Sequence, residues 1–211
     1  MFIVIEGIEG AGKSSVQNGL GAFLSARGKS VVLTREPGGT ELGKDIRQLL
    51  LAKRMDAVDP KAELLLFAAD RAQHVSSVIR PALADGAVVI CDRFTFSTIA
   101  YQGFGRGLSH EVIEQLNSVA TDGLFPDLVL LLDLPVETGL ARAKKRADQE
   151  SPESWTRFES EAVAFHQKIR DGFLQLANQN QKLFEIIDAT KQADVVLEQA
   201  CQIVAKRLTD Q

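Results

Sequence analysis

The chain has 211 residues, 45% of them hydrophobic and 25% charged, a size and mixture that suit one globular domain and exclude disordered, collagen-like and coiled-coil classes. Its net charge of −4 has the wrong sign for a dedicated nucleic-acid binder, although a local cationic cluster can still hold a small polyanion. No apolar run approaches the roughly 18 residues of a membrane span, the two cysteines (Cys91 and Cys201) form neither a metal nor a disulfide spacing, and His74, His110 and His166 are scattered singly, so no histidine metal centre is expected.

Phe2–Ile5 is the first apolar run and is expected to be a buried strand; no basic leader precedes it, and with the unpaired thiols this predicts a cytoplasmic chain. Gly7-Ile-Glu-Gly-Ala-Gly-Lys-Ser14 follows at once and matches GxxxxGK[ST] between a strand and a helix, the context that this phosphate-binding loop requires. Its glycines let successive N–H groups turn inward, and the following helix adds its positive end. Lys13 can reach the β- and γ-phosphates of a nucleoside triphosphate, and the Ser14 hydroxyl can ligate Mg²⁺. Gly7, Ile8, Glu9, Gly10, Ala11, Gly12, Lys13, Ser14 and Ser15 are therefore the candidate ATP site. Val16, Leu20, Phe23 and Leu24 share one helical face, and that helix should end near Gly28.

Val31–Leu33 reads as the second strand. Thr34-Arg-Glu-Pro-Gly-Gly-Thr40 leaves it, so Arg35 stands at a strand's carboxyl end, where open α/β sheets bind ligands. A helix is expected over about 41–53. Asp59-Pro60 has cap and first-turn chemistry for a long helix running to about Leu83. On it Phe67 and Arg71 lie one turn apart; they either bracket a flat base or form a surface pair with the arginine stem on the ring.

Ala87–Ile90 is the third strand. It leads to Asp92-Arg93, a carboxylate for the hydration shell of a metal beside a guanidinium for an acceptor phosphate. Tyr101, the only tyrosine, lies in Ser97-Thr-Ile-Ala-Tyr-Gln-Gly103, and Gly103-Phe-Gly-Arg-Gly107 reads as a glycine-rich loop. A helix over about 110–121 and a strand at Leu128–Leu132 follow. The strand ends at Asp133, a second possible metal-site carboxylate or simply a helix cap or strand-end turn. Helices over about 136–147, 158–178 and 192–208 and a strand at Leu183–Ile187 complete the inventory. Residues 146–156 are polar, carry Pro152 and lack a sustained period, as expected of a mobile flap. Strand–helix alternation with five strands predicts a doubly wound α/β fold: a five-stranded parallel sheet flanked by helices, one domain over 1–211, with one mobile flap.

The P-loop alone leaves the reaction open, since it also serves switches, motors and pumps. There is no Asn-Lys-x-Asp for guanine and no coupling domain for a motor. None of Ile8, Glu9, Gly10 and Ala11 is basic, so further charge on a transferring phosphoryl group must come from elsewhere. The cluster Arg142, Lys144, Lys145, Arg146 and Arg157 can supply it when the flap closes, or 142–146 is a solvated helix face, the reading preferred for Lys144 and Lys145. Two rivals have distinct signatures. A deoxynucleoside kinase would want a general base at a free hydroxyl and would not need Arg35 and Arg93 around an acceptor phosphate. A non-catalytic nucleotide switch would bind ATP without acceptor-stimulated turnover.

Taken in order, Glu6-Gly-Ile-Glu-Gly-Ala-Gly-Lys-Ser, Thr34-Arg-Glu-Pro-Gly-Gly-Thr, Phe67-Ala-Ala-Asp-Arg-Ala-Gln, Cys91-Asp-Arg-Phe, Ser97-Thr-Ile-Ala-Tyr-Gln-Gly and Leu132-Asp-Leu-Pro resemble the bacterial thymidylate kinases of the P-loop nucleoside-monophosphate kinase group over nearly the whole length. The resemblance implies ATP- and Mg²⁺-dependent phosphorylation of dTMP to dTDP. It implies Glu9 near the sugar 3′-hydroxyl and acceptor phosphate, Arg35 and Arg93 on the monophosphate, Phe67 stacked on thymine and Arg71 bonded to its carbonyl. Ser97, Thr98 and Gln102 belong to the same substrate-binding segment, with Thr98 and Gln102 near the base, and Tyr101 would crowd a 2′-hydroxyl. Ser14 and Asp92 would serve the metal. The lid, about 142–157, would carry the catalytic arginine, best matched by Arg157 with Arg142 and Arg146 in support. A homodimer through helices on one sheet face is also implied, with no membrane or nucleic-acid partner. The flap is a few residues longer than in many relatives, and Thr156 stands where an aspartate commonly precedes the arginine.

Overall fold

Unbroken apolar runs satisfy their backbone only inside a sheet covered on both faces. In a computed structural model that describes residues 1–52, 55–150 and 156–209, the five runs form parallel strands β1 (Phe2–Glu6), β2 (Val31–Arg35), β3 (Val88–Asp92), β4 (Leu128–Asp133) and β5 (Phe184–Asp188). Their order is β2-β3-β1-β4-β5. β1, in the centre, is buried throughout, as are Val88–Cys91 of β3 and Leu128–Leu132 of β4. All five strands run on past the expected apolar stretch to a polar residue. The register sets these ends side by side, Arg35 opposite Asp92 and Asp92 opposite Ile5. The carboxyl edge of the sheet thereby gathers charge that the core excludes.

Helix α1 (Lys13–Ser25) packs on α9 (Ala193–Thr209). The buried Gln17 amide pins α1 to the sheet by donating to the Thr34 carbonyl at 2.6 Å and the Ile90 carbonyl at 2.9 Å. Helix α2 (Glu41–Leu51) is capped by the Thr40 hydroxyl, which accepts from the Gly43 N–H. Asp59 caps α3 (Pro60–His74) through the Lys61 and Ala62 N–H groups. The expected long helix is continuous to Ala84, but Val75–Ile79 widens to a π turn before α4 (Arg80–Ala84); Pro81, lacking an N–H, follows directly. Helices α6 (His110–Thr121), α7 (Val136–Glu150) and α8 (Val163–Gln179) complete the layers.

Three expectations are corrected. The segment read as a glycine-rich loop is largely helical: α5 (Thr95–Thr98) passes into a π-helical stretch, Ile99–Gly105, that packs against α8. Its glycines serve close packing, since a Cβ at Gly105 would lie 2.7 Å from the Phe165 ring. The segment read as irregular is helical in its first part, because α7 runs through Glu150; residues 151–155 lie outside the described residues, so the flap expected there is described only at its two ends. Helix α8 starts at Val163 rather than near 158, after a turn at 157–160. Among the described residues no helix is long and apolar enough to cross a membrane.

The first turn of α7 lies directly on the phosphate-binding loop. A Cβ at Gly10 (φ 72°) would stand 2.0 Å from the Gly139 carbonyl oxygen, and a Cβ at Gly139 2.5 Å from that of Glu9. Backbone thus meets backbone, and neither side can yield by rotating a side chain. Gly139→Ala is expected to destabilise the fold by about 1–3 kcal/mol, read from the urea midpoint, and to weaken ATP binding; an unchanged midpoint and affinity would show that the loop retreats freely.

Candidate active site

The loop between β1 and α1 curls through Gly7, Gly10 and Gly12, all at positive φ. Helix α1 opens at Gly12 with no side-chain cap and no acid in its first turn, so its N–H groups and positive end are left for an anion. Lys13 is buried and donates to the Gly7 and Ile8 carbonyls at 3.1 and 2.9 Å. Burial, with Arg93 adding to it, lowers its amine to about 8; bound phosphate would favour the charged form. The Ser14 hydroxyl donates to Asp92 Oδ2 at 3.2 Å, which brings the two candidate metal-site residues together from different elements. Asp133, the other candidate, is held by Arg170 of α8 in a bidentate pair at 2.8 and 2.9 Å. Among the described residues no cluster of three or more His, Cys, Asp or Glu side chains could hold a metal. A serine and one carboxylate beside a phosphate loop fit Mg²⁺, which keeps several waters and borrows phosphate oxygens.

A cavity of about 880 Å³ opens beside the loop. At its phosphate end Arg35, Arg47 and Arg93 converge. Arg93 adopts φ 73° directly after β3, an uncommon conformation for a residue other than glycine and one that clusters at functional sites. The turn aims its guanidinium at Glu9 Oε1 (3.1 Å) and the Ser97 hydroxyl (3.1 Å), over the Tyr101 ring. Tyr101 donates its hydroxyl to the same Glu9 oxygen at 2.5 Å. Arg47 was not foreseen; burial, with the charges of Arg35 and Arg93 adding to it, lowers its pKa. Its only sequence signal is a position next to Ile46 on the inner face of α2.

At the other end Phe67, Arg71, Thr98, Tyr101 and Gln102 meet. Arg71 is among the largest fully buried side chains, which overturns the reading of a surface pair. Nε donates to Glu36 at 2.8 Å, Nη1 to Thr98 and Asn117 at 3.0 and 2.5 Å, and Nη2 to the Phe94 carbonyl at 3.0 Å. Of five donors, one Nη2 hydrogen is left for a ligand. Glu36 is itself fixed by His74 at 2.9 Å, and His74 contacts the Thr34 hydroxyl at 2.6 Å. Gln102 donates to the buried Glu63 at 2.7 Å, leaving its carbonyl oxygen as an acceptor. Phe67 is half-buried and faces Phe158 at 6.3 Å.

The arginines expected of the lid divide. Arg146 borders the cavity. Arg157 does not: it pairs with Glu63 at 2.6 Å and donates to the Leu50 carbonyl. Arg142 also lies away, donating to the Ala189 and Thr190 carbonyls after β5 at 2.8 and 3.4 Å. Thr156 donates to Glu159, a cavity residue that sequence reasoning passed over.

Residues 5–200 match the family model described as thymidylate kinase. A thymidylate kinase of Trichlorobacter lovleyi is 52% identical over 208 residues, covering 99% of this chain and 98% of that protein. One from Desulfovibrio desulfuricans is 54% identical over 202 residues, covering 94% and 92%. The crystal structure of thymidylate kinase from Ehrlichia chaffeensis superposes with a TM-score of 0.78 at 33% identity, covering 97% of this chain and 98% of that one.

Beneath the site, Glu6 at the end of β1 accepts the Phe94 and Ser97 N–H groups and the Ser97 hydroxyl. Burial, opposed by Arg93, Ser97, Phe94 and Lys13, pushes its carboxyl from 4.5 up to about 7. A raised acid is protonated first in the folded chain, so its contribution to stability is complete below the unfolded value and is lost as pH rises through 7. Glu6→Gln keeps an oxygen for both N–H groups and offers an N–H to Ser97. It should flatten the fall in stability across this window, by on the order of 3 kcal/mol at most, leaving the slope from Asp70, which burial and Glu36 raise to about 6. Denaturant unfolding at several pH values checks this; parallel profiles for parent and variant would contradict it.

Proposed function

Because the chain belongs to the thymidylate kinase family, we propose that it transfers the γ-phosphoryl group of ATP to the 5′-phosphate of dTMP, forming ADP and dTDP. The observation that carries this is the pairing, in one cavity, of a P-loop with a separate trio of arginines. A free 5′-hydroxyl would give Arg35, Arg47 and Arg93 nothing to neutralise, and a switch would need no second anion site.

Chemistry follows from positioning and charge, since phosphoryl transfer asks little else of a protein. The N–H groups of the loop and Lys13 hold the donor phosphates. Ser14 and Asp92 would hold Mg²⁺, which when bound offsets charge on the β- and γ-phosphates. Arg93, Arg35 and Arg47 hold the acceptor phosphate, and Glu9 and Tyr101 border the sugar, where the phenol leaves no room for a 2′-hydroxyl. Phe67 stacks on thymine, Arg71 gives its remaining hydrogen to a base carbonyl, and Thr98 and Gln102 line the base edge. Arg146 adds positive charge from the cavity wall, and Arg157 joins it when its pair with Glu63 opens; Arg142 supports the turn after β5.

The working unit is proposed to be a cytoplasmic homodimer. Exposed Leu65 on α3 and Val112 and Val119 on α6 support an interface on these neighbouring helices, and the free thiols of Cys91 and Cys201 suit a reducing compartment.

ADP release with dTMP, thymidine, dUMP, dCMP and dAMP in parallel tests the acceptor; turnover with thymidine but not dTMP would overturn it. Phe67→Ala should raise KM for dTMP by about 5- to 150-fold, the worth of about 1–3 kcal/mol of stacking, with KM for ATP within about twofold. Equal effects on both substrates would contradict the stacking role. Arg146→Ala and Arg157→Ala should each lower kcat at least about tenfold; unchanged turnover in a folded Arg157→Ala variant would leave the role to Arg146.

A further inference from the structure

His166 of α8 is wholly buried, yet neither ring nitrogen makes a hydrogen bond. Buried polar groups without partners are costly and rare, so each calls for a cause. The nearest acid supplies one. His166 Nδ1 lies 3.3 Å from Glu9 Oε2, and that oxygen is also orphaned. The other carboxylate oxygen, Oε1, is already engaged by Arg93 and Tyr101. Two bonds to one oxygen fix where the carboxylate sits but leave it free to swing about them; a donor at the second oxygen sets its plane.

We propose that His166 is a positioning residue for the acceptor nucleotide, holding Glu9 through Nδ1 so that the carboxylate faces the sugar and keeps Arg93 on the acceptor phosphate. His166 stands behind Glu9 and acts only through it. This role rests on the reading of Glu9 as an acceptor-side residue. It also explains the site of the histidine: α8 packs on the π-helical segment that carries Tyr101, so one helix carries His166 and backs Tyr101, two of the three groups around Glu9.

Asparagine places an amide nitrogen where Nδ1 lies, whereas glutamine places it nearer Nε2. His166→Asn should therefore stay within about threefold of the parent, while His166→Leu and His166→Gln should raise KM for dTMP by about tenfold or more, the range of a hydrogen bond to a charged group, with KM for ATP within about twofold. Should the leucine variant fail to fold, the asparagine–glutamine contrast decides. In a double-mutant cycle Glu9→Gln/His166→Leu should be no worse than Glu9→Gln alone, because the histidine has lost its target. Parent-like kinetics in His166→Leu, an asparagine variant as impaired as the glutamine one, or multiplicative effects in the cycle would each overturn the proposal. If Glu9→Gln is impaired and His166→Leu is not, this role alone fails. If Glu9→Gln matches the parent, the acceptor-side reading of Glu9 fails with it.

Discussion

The pair formed by Glu9 and Arg93 joins the loop after β1 to the residue that follows β3, and the cavity is built around it. Burial alone would raise the Glu9 carboxyl, but His166, Arg93, Lys13 and Tyr101 outweigh burial and hold it well below the ordinary range. A charge kept in such a place needs its partners, and removing one from a buried pair typically costs about 3–5 kcal/mol. Arg93 in turn needs its left-handed backbone to reach Glu9 at all. The strain at that residue, of order 1–3 kcal/mol, is held by the neighbouring strands, where the Arg93 N–H donates to the Ile5 carbonyl.

The sheet makes this possible because parallel strands end at one edge. With β1 between β3 and β4, the P-loop, Asp92 and Arg93 leave adjacent strand ends at the topological switch point, where ligands of open α/β sheets bind. The base end of the cavity is rigid for a different reason. Thr34, His74, Glu36, Arg71 and Asn117 form one buried chain of polar contacts from β2 to α6. Such a chain holds a guanidinium in place before any ligand arrives, which lowers the cost of ordering it on binding. Next to the segment expected as a lid, the buried Glu63 holds Arg157 and Arg106, and Arg106 holds Glu161.

What the amino-acid sequence made legible follows the range of the interactions. The five strands and the P-loop depend on neighbours in the chain, on apolar runs and on glycines at fixed spacing, and they stand where they were expected. Arg71 was singled out by its spacing from Phe67, but its burial was not, because its partners lie 23 to 46 residues away. Arg47 has only its place beside Ile46, and Glu63, Glu159 and His166 carry no local signal; each looks like an ordinary helix or turn residue until the fold brings Arg47 and Glu159 to the cavity, His166 to Glu9 and Glu63 to Gln102 and Arg157. The glycines at 103 and 105 misled because glycine marks close packing as well as loops, whereas Gly107, at φ 78°, does lie in a loop. Thr156, foreseen as a departure beside Arg157, finds its partner in Glu159.

Donor and acceptor nucleotides are expected to occupy one cavity at once, with their phosphates meeting between Lys13 and Arg93. The direct measurement is calorimetric binding of adenosine and thymidine joined through their 5′-positions by a polyphosphate bridge. The expected result is one ligand per chain, bound at least about tenfold more tightly than ATP or dTMP alone, since linkage makes the second contact intramolecular. An affinity no better than that of either nucleotide would mean that the two sites do not face each other, and the account would fail.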